Sequence, residues 1–237
     1  MAGDGQVLVI TGASSGIGAQ TARLAVADGY RVVLAARRSE ALDELAAELG
    51  GPERAIAIRC DVGEWADNQA LARAGLDAFG RIDVVFANAG FGATRGFLEE
   101  SPEQWRSMVL TNVLGVAYTI RATLPHLLER GTGHFVITSS VAGRRALPGS
   151  LYSATKHAAT AIGEALRQEL RGMRENHGIR VTLIEPGMVD TPFFDNRIGP
   201  ERALRDDDIA RAVLFALSQP EHVDVNEILI RPAQQST

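Results

Sequence analysis

The stretch "VLVITGASSGIG", residues 7–18, decides how the rest of the chain is read. An apolar, β-branched run ends at Thr11, three glycines follow, and an alanine-rich stretch with helical periodicity begins. A strand that turns through glycines into a helix brings backbone N–H groups and the positive end of the helix dipole to one point, which suits a phosphate. In that arrangement Gly12 makes the turn, Gly16 permits close approach of a ligand, and Gly18 lets the helix pack on the sheet. Ser14 and Ser15 add hydroxyl donors. The bland alternative is a tight strand–helix turn, and three glycines at this spacing weigh against it. The spacing T-G-x-x-x-G-x-G differs from G-x-G-x-x-G, and no P-loop lysine follows.

Outward from this point the same unit repeats. Strand-like runs stand at 7–11, 31–36, 54–60, 82–87, 134–139, 180–185 and 227–231. Helix-like stretches lie between them, including long ones over 102–129 and 152–175. Several runs are apolar without alternation, as expected of strands covered on both faces. The alternation predicts an α/β fold with a mostly parallel, doubly wound sheet. "GGP" at 50–52 and "GTG" at 131–133 read as helix-ending turns, so residues 1–237 form one domain. The segment 193–205, "FFDNRIGPERALR", is a long connection with Phe193 and Phe194 side by side, which suggests a lid over a substrate.

A net charge of −5 gives no basic field for nucleic acid. The single cysteine, Cys60, excludes an internal disulfide and suits a reducing compartment. The lead "MAGDGQ" has no signal-peptide pattern, and no apolar run is long enough to span a bilayer. These features point to a cytoplasmic protein with no membrane partner. His126, His134, His157, His177 and His222 are scattered without a ligand motif, so no metal site is expected.

The pair Tyr152 and Lys156 in "LYSATKHAA", 151–159, shares one helix face. By itself such a pair is ordinary. Together with the T-G-x-x-x-G-x-G loop, however, "YSATK" resembles the short-chain dehydrogenase/reductase family, and the resemblance extends over nearly the whole chain. "CDV" (60–62), "ANAG" (87–90), "TNVLG" (111–115) and "EPGMVDTPF" (185–193) follow in the family's order. Ala87 stands where the family has its first Asn in N-N-A-G.

The resemblance implies a single Rossmann-type domain with a seven-stranded sheet, a nicotinamide dinucleotide, and hydride transfer between a carbonyl and a secondary alcohol. It implies cofactor contacts at Gly12, Ser14, Ser15, Gly16, Ile17, Gly18, Asp61, Val62, Asn88, Ala89, Gly90, Pro186, Gly187, Val189 and Thr191. Tyr152 and Lys156 touch the cofactor as well, Lys156 through the nicotinamide ribose. Asn112, Ser140, Tyr152 and Lys156 are the implied catalytic set, with Asn112 holding a water. The implied partner in assembly is a second copy, as homodimer or homotetramer, through the helices at 102–129 and 152–175. Ala158, Ala159, Ala161, Ala165 and Leu166 offer a small apolar surface there, or else only pack on the sheet.

The chemistry explains the Tyr/Lys spacing. A free tyrosine titrates near pH 10, and lowering it by about three units takes roughly 4 kcal/mol. Burial alone shifts it the wrong way. A cation on the same face is therefore required, and Lys156 supplies one. A serine should hold the substrate oxygen, and successive strand residues face opposite ways, so either Ser139 or Ser140 faces the pocket. Ser140 fits S-x-x-G with Gly143, and Ser139 stays open. A non-catalytic nucleotide sensor is the alternative function, which a broken catalytic set would favour.

For the nucleotide, an acidic residue after the second strand would favour NAD. Here that position is Ala36, followed by Arg37 and Arg38. The expectation is NADP(H), with Arg37 as phosphate ligand and NAD(H) as the other nucleotide the fold admits. Arg144 and Arg145, after the serine loop, read as solvated charges, with contact to an anionic substrate as the alternative. Phe91, Met188, Phe193 and Phe194 suggest an apolar or mixed pocket.

Overall fold

Strands and helices alternate through the computed structural model, which describes residues 3–92, 96–148, 150–173, 178–191 and 202–235. In chain order these are β1 (Val7–Thr11), α1 (Gly16–Ala27), β2 (Arg31–Ala36), α2 (Ser39–Glu48), β3 (Ala55–Arg59), α3 (Trp65–Phe79), β4 (Val84–Ala87), α4 (Pro102–Val109), α5 (Gly115–Arg130), β5 (Thr132–Thr138), α6 (Tyr152–Gly172), β6 (Gly178–Pro186), α7 (Asp206–Leu217) and β7 (Glu227–Ile230). The strands form one sheet in the order β3-β2-β1-β4-β5-β6-β7. Every pairing is parallel.

The unbroken apolar strand sequences follow from this layering. Alternate side chains leave a strand on opposite faces, and both faces are covered. Leu8, Ile10, Val32, Leu34, Phe86 and Val136 pack in one apolar layer with α1, α2 and α7. Val7, Val9, Val33, Val85, Phe135 and Ile137 pack in the other with α3, α5 and α6. Of the small residues on α6, Ala159 and Leu166 belong to this second layer, whereas Ala161 and Ala165 face outward.

Several boundaries differ from the sequence reading. The helix expected over 102–129 is interrupted by a π-helical turn at Leu110–Leu114. It opens at Ser101 with a capping box closed by Gln104 and with Pro102 in the first turn, and ends at Gly131 in the left-handed conformation, φ 70°. The "GTG" turn is shorter than expected, because Thr132 and Gly133 already belong to β5. The helix expected to reach 175 ends at Gly172. Among the described residues no helix is long and apolar enough to cross a membrane. Residues 193–201 of the expected lid, Phe193 and Phe194 among them, lie outside the described residues, as does His177. The lid's last part is described: Leu204 N donates to Met188 O (2.8 Å) and Asp190 N to Leu204 O (2.7 Å), a short parallel bridge beyond β6.

Candidate active site

The strand order reverses between β1 and β4, and at such a switch point the connections leave the carboxyl ends of the strands in opposite directions, opening a crevice. The segments after β1, β4, β5 and β6 all border a cavity of about 780 Å³ there. Gly12, Ser15, Gly16, Ile17, Asn88, Ala89 and Gly90 line one part of it. Ser140, Tyr152, Lys156, Pro186, Gly187, Val189 and Thr191 line another.

The glycine loop is held by direct backbone packing. Gly12 is left-handed (φ 69°), and a Cβ there would lie 2.9 Å from Ala89 Cα. A Cβ on Gly18 would lie 2.4 Å from Gly12 O. Thr11 Oγ1 accepts from Asn88 N (3.0 Å) and Ala89 N (3.1 Å). Asn88 Nδ2 donates to Thr11 O (3.1 Å), and its Oδ1 accepts from Thr138 Oγ1 (3.1 Å). The ends of β1, β4 and β5 are thereby tied together. The sequence reading gave Thr11 and Thr138 no role; a hydroxyl residue ending each strand was the available signal.

Tyr152 opens α6 and Lys156 lies one turn on, its Nζ 5.9 Å from the tyrosine ring centroid. Lys156 is buried and donates to Thr138 O (3.0 Å). Loss of solvation pulls its ammonium down to about 8. Burial pushes the Tyr152 phenol up to about 12, and a hydrogen bond with Ser140 opposes that shift. Ser140 Oγ also accepts from Ala142 N (3.1 Å) and donates to Pro186 O (3.3 Å). Ser139 points the other way: its Oγ donates to Lys156 O (3.0 Å) and meets Thr160 Oγ1 at 2.7 Å.

Asn112 sits in the π-helical turn, buried behind the cavity. Its Nδ2 donates to Phe91 O (2.9 Å) and Thr155 Oγ1 (3.1 Å), and its Oδ1 accepts from Phe91 N (3.0 Å). A Cβ on Gly90 would lie 3.1 Å from Asn112 Oδ1 and 3.5 Å from Lys156 Nζ, so the bare glycine leaves room for both.

Asp61, Val62, Ser14, Arg37 and Arg38 are not part of the cavity lining. Asp61 accepts from Gly63 N through Oδ1 (3.0 Å). Val62 is buried against Gly115. Ser14 and Ser15 receive a guanidinium, and it is that of Arg38 rather than Arg37: Arg38 Nη2 donates to Ser14 Oγ (3.0 Å) and Ser15 Oγ (2.8 Å). Arg37 is exposed on the same loop. Arg144 and Arg145 are both exposed, as expected, and Arg144 in addition pairs with Glu185 and Glu227.

The sequence reading also missed the far end of the chain. Gln235 Oε1 accepts from Met188 N (3.0 Å), and Gln234 and Gln235 line the cavity with Phe91 and Met188. Trp105 Nε1 donates to Glu100 (2.9 Å) and Ser150 (2.6 Å), joining the start of α4 to the entry of α6. His134, buried with its ring pushed down to about 3, lies on Thr182 far from these groups. Among the described residues no three His, Cys, Asp or Glu side chains gather as a metal site.

A dinucleotide fits this crevice. Gly12 and Gly16 (φ 53°) form a side-chain-free cradle before the N-terminus of α1, and a buried amine borders the other end. Comparison with known proteins agrees. The sequence model of short chain dehydrogenases matches residues 6–201. An oxidoreductase of Staphylococcus epidermidis is 38% identical over 229 residues, 96% of this chain and 97% of its own. An alcohol dehydrogenase from the archaeon Thermococcus sibiricus, complexed with 5-hydroxy-NADP, superposes with a TM-score of 0.89 at 34% identity, covering 98% of both chains. A short-chain dehydrogenase/reductase from Burkholderia phymatum in complex with NAD gives a TM-score of 0.84 at 31% identity over 97% of this chain and 90% of that one.

Proposed function

Because this chain belongs to the short-chain dehydrogenase/reductase family and is an oxidoreductase using a nicotinamide cofactor, we propose that it interconverts a carbonyl and a secondary alcohol with Tyr152 as general acid and base. The observation that carries this reading is the pairing of the Tyr152 hydroxyl with Ser140 at the cavity wall, beside the buried ammonium of Lys156. The nicotinamide, when bound, gives or takes the hydride. In the reducing direction the Tyr152 hydroxyl hands its proton to the substrate oxygen while Ser140 donates a hydrogen bond to it. The phenolate left behind is stabilised by the Lys156 cation across the shared helix face. Asn112 fixes the Phe91 loop and offers the second lone pair of Oδ1 to a water beside Lys156. The glycine loop, Asn88–Gly90 and Pro186–Thr191 would hold the dinucleotide, with Asp61 and Val62 at the adenine end.

The substrate is a small molecule meeting Phe91, Leu147 and Met188 on the cavity wall, in the cytoplasm. The test is a panel of aldehydes, ketones, α-diketones and secondary alcohols, followed by reduced-cofactor absorbance. Turnover of none of them with either nucleotide would refute the reading.

The preferred nucleotide is NADP(H). Ala36 removes the carboxylate that would repel a 2′-phosphate, and two guanidinium groups follow it. Arg37 comes directly after the strand, and Arg38 already rests on the glycine-loop serines. A charge-assisted contact contributes about 1.5–3 kcal/mol, so Arg37→Ala and Arg38→Ala should each weaken NADPH by roughly one to two powers of ten and leave NADH nearly unchanged. Dissociation constants for both nucleotides on the three proteins measure this. Wild-type binding of NADH as tight as NADPH would end the proposal.

Assembly as a homodimer or homotetramer is proposed through the outward faces of α4–α5 and α6, where Ala161 and Ala165 leave room for close approach. Light scattering should give a multiple of the 25.3 kDa chain mass, and a monomer at working concentration would contradict it.

A further inference from the structure

Arg144 follows the three-residue 3-10 turn Val141–Gly143, whose N-cap is Ser140. The turn is braced internally: Gly143 N donates to Ser140 O (2.8 Å) and Arg144 N to Val141 O (3.1 Å). Where the Arg144 side chain is fixed, Ser140 is fixed with it. That side chain reaches across to β6, its Nε 2.7 and 2.8 Å from the two carboxylate oxygens of Glu185. It also pairs with Glu227 on β7.

Glu185 is fully buried, and the next residue is Pro186, whose carbonyl receives the Ser140 hydroxyl. Leu183 pairs with Glu227 and Glu185 with Leu229, so the two carboxylates are diagonal neighbours on one sheet face. Glu185 is buried but Arg144 is 41% exposed, so desolvation of the carboxylate and solvent screening of the cation both limit what the pair adds to stability. Here the Nε–H is shared between the two Glu185 oxygens while Nη2 reaches Glu227, so two carboxylates hold one planar guanidinium in place.

We propose that Arg144 is a positioning residue, whose clamp on Glu185 and Glu227 sets the Ser140 turn against the strand end that carries Pro186–Val189. The proposal rests on the reading of Ser140 as the group that holds the substrate oxygen. Burial and the nearby Glu227 push the Glu185 carboxyl up, and Arg144 opposes them. With the guanidinium gone, an ionised Glu185 would face Glu227 without a cation. Above its new titration point it would draw in water and displace the turn; below that point it would sit neutral and be tolerated.

The test uses the full chain, the fastest carbonyl of the panel and saturating NADPH. Arg144→Met should lower kcat at least tenfold while leaving the NADPH dissociation constant within twofold. Its activity relative to wild type should fall further from pH 6 to pH 9. Arg144→Met/Glu185→Gln should abolish that pH trend, and Arg144→Lys should retain more activity than Arg144→Met. A wild-type kcat in Arg144→Met, or a loss that is flat with pH and unrelieved in the double variant, would overturn the clamp. If Arg144→Met does not fold, Glu185→Gln alone decides: a severalfold lower kcat supports the clamp and an unchanged one overturns it. Ser140→Ala runs alongside. Full activity there refutes the Ser140 reading and the clamp with it, whereas an impaired Ser140→Ala beside a fully active Arg144→Met refutes only the clamp.

Discussion

Tyr152→Phe is expected to lower kcat by about 10²- to 10⁴-fold, the range a positioned acid–base group supplies, with NADPH affinity unchanged within about twofold. The substitution removes one oxygen and its exchangeable proton. The ring remains, and with it the packing at the head of α6 and the approach of Lys156 Nζ, 5.9 Å from the ring centroid. Among the described residues no other group is placed to substitute for the phenol: the Ser140 hydroxyl is too weak an acid, and Lys156 turns its ammonium to Thr138 O. The neighbouring serines provide an internal contrast. Ser140→Ala should cost most of the rate, because its hydroxyl pairs with Tyr152. Ser139→Ala should chiefly cost stability, about 0.5–1.5 kcal/mol for hydrogen bonds to Lys156 O and Thr160. Initial rates and thermal midpoints separate these effects. More than a few percent of wild-type kcat in Tyr152→Phe would remove it from the mechanism, and the reverse ranking of the serines would pass Ser140's role to its neighbour.

Gly143→Val should do comparable damage without touching a reacting group. A Cβ at 143 would lie 2.3 Å from Ser139 Oγ, 2.7 Å from Lys156 O and 2.8 Å from Thr160 Oγ1. The turn after β5 therefore packs directly on α6, and the obstacle is lack of space rather than a left-handed backbone. Restoring ordinary contact means separating the turn from the helix by about an ångström, and a misplacement of that size costs roughly 10²-fold in rate. Overpacking should also remove about 1–3 kcal/mol of stability. Gly172→Ala, at the open end of α6 where a Cβ meets nothing within 4 Å, is the control and should leave kcat unchanged. Wild-type turnover in Gly143→Val would show that the spacing between turn and helix does not set the rate.

The sheet was legible because each strand writes its two-sided burial into a short run such as "VLVIT" or "RVVLAA", and because the glycine spacing recurs with "YSATK". Contacts within a few residues, such as Tyr152 with Lys156, come from helical periodicity alone. Pairings across the sheet do not. Glu185 lies 41 positions from Arg144, and nothing near either residue announces the other, so the ion pair of the exposed Arg144 with Glu185 was not legible. The contact of Arg38 with Ser14 and Ser15 was hidden similarly, because loop geometry after β2 decides which guanidinium turns toward them. The π-helical turn was invisible because "LTNVL" has the apolar content of any helix. A buried Asn at its centre was the sole trace.

That wide turn also governs where the chain can change length between Ser101 and Gly131. A π-helical turn accommodates one residue more than the α-helical turn it replaces. Deleting one of residues 110–114 would convert it to an α-helical turn and keep the two halves in phase, whereas deleting a residue within α4 or α5 would turn them about 100° apart. Neither half is free to rotate: Trp105 ties α4 to Glu100 and Ser150, while Val116, Ile120 and Leu127 bury α5 against the sheet. A change of length within α4 or α5 is therefore costly, and the wide turn is the place that can absorb one residue. In sequences that share this fold, a gap within residues 101–131 should be a single residue at 110–114, and it should coincide with a changed neighbour at Asn112.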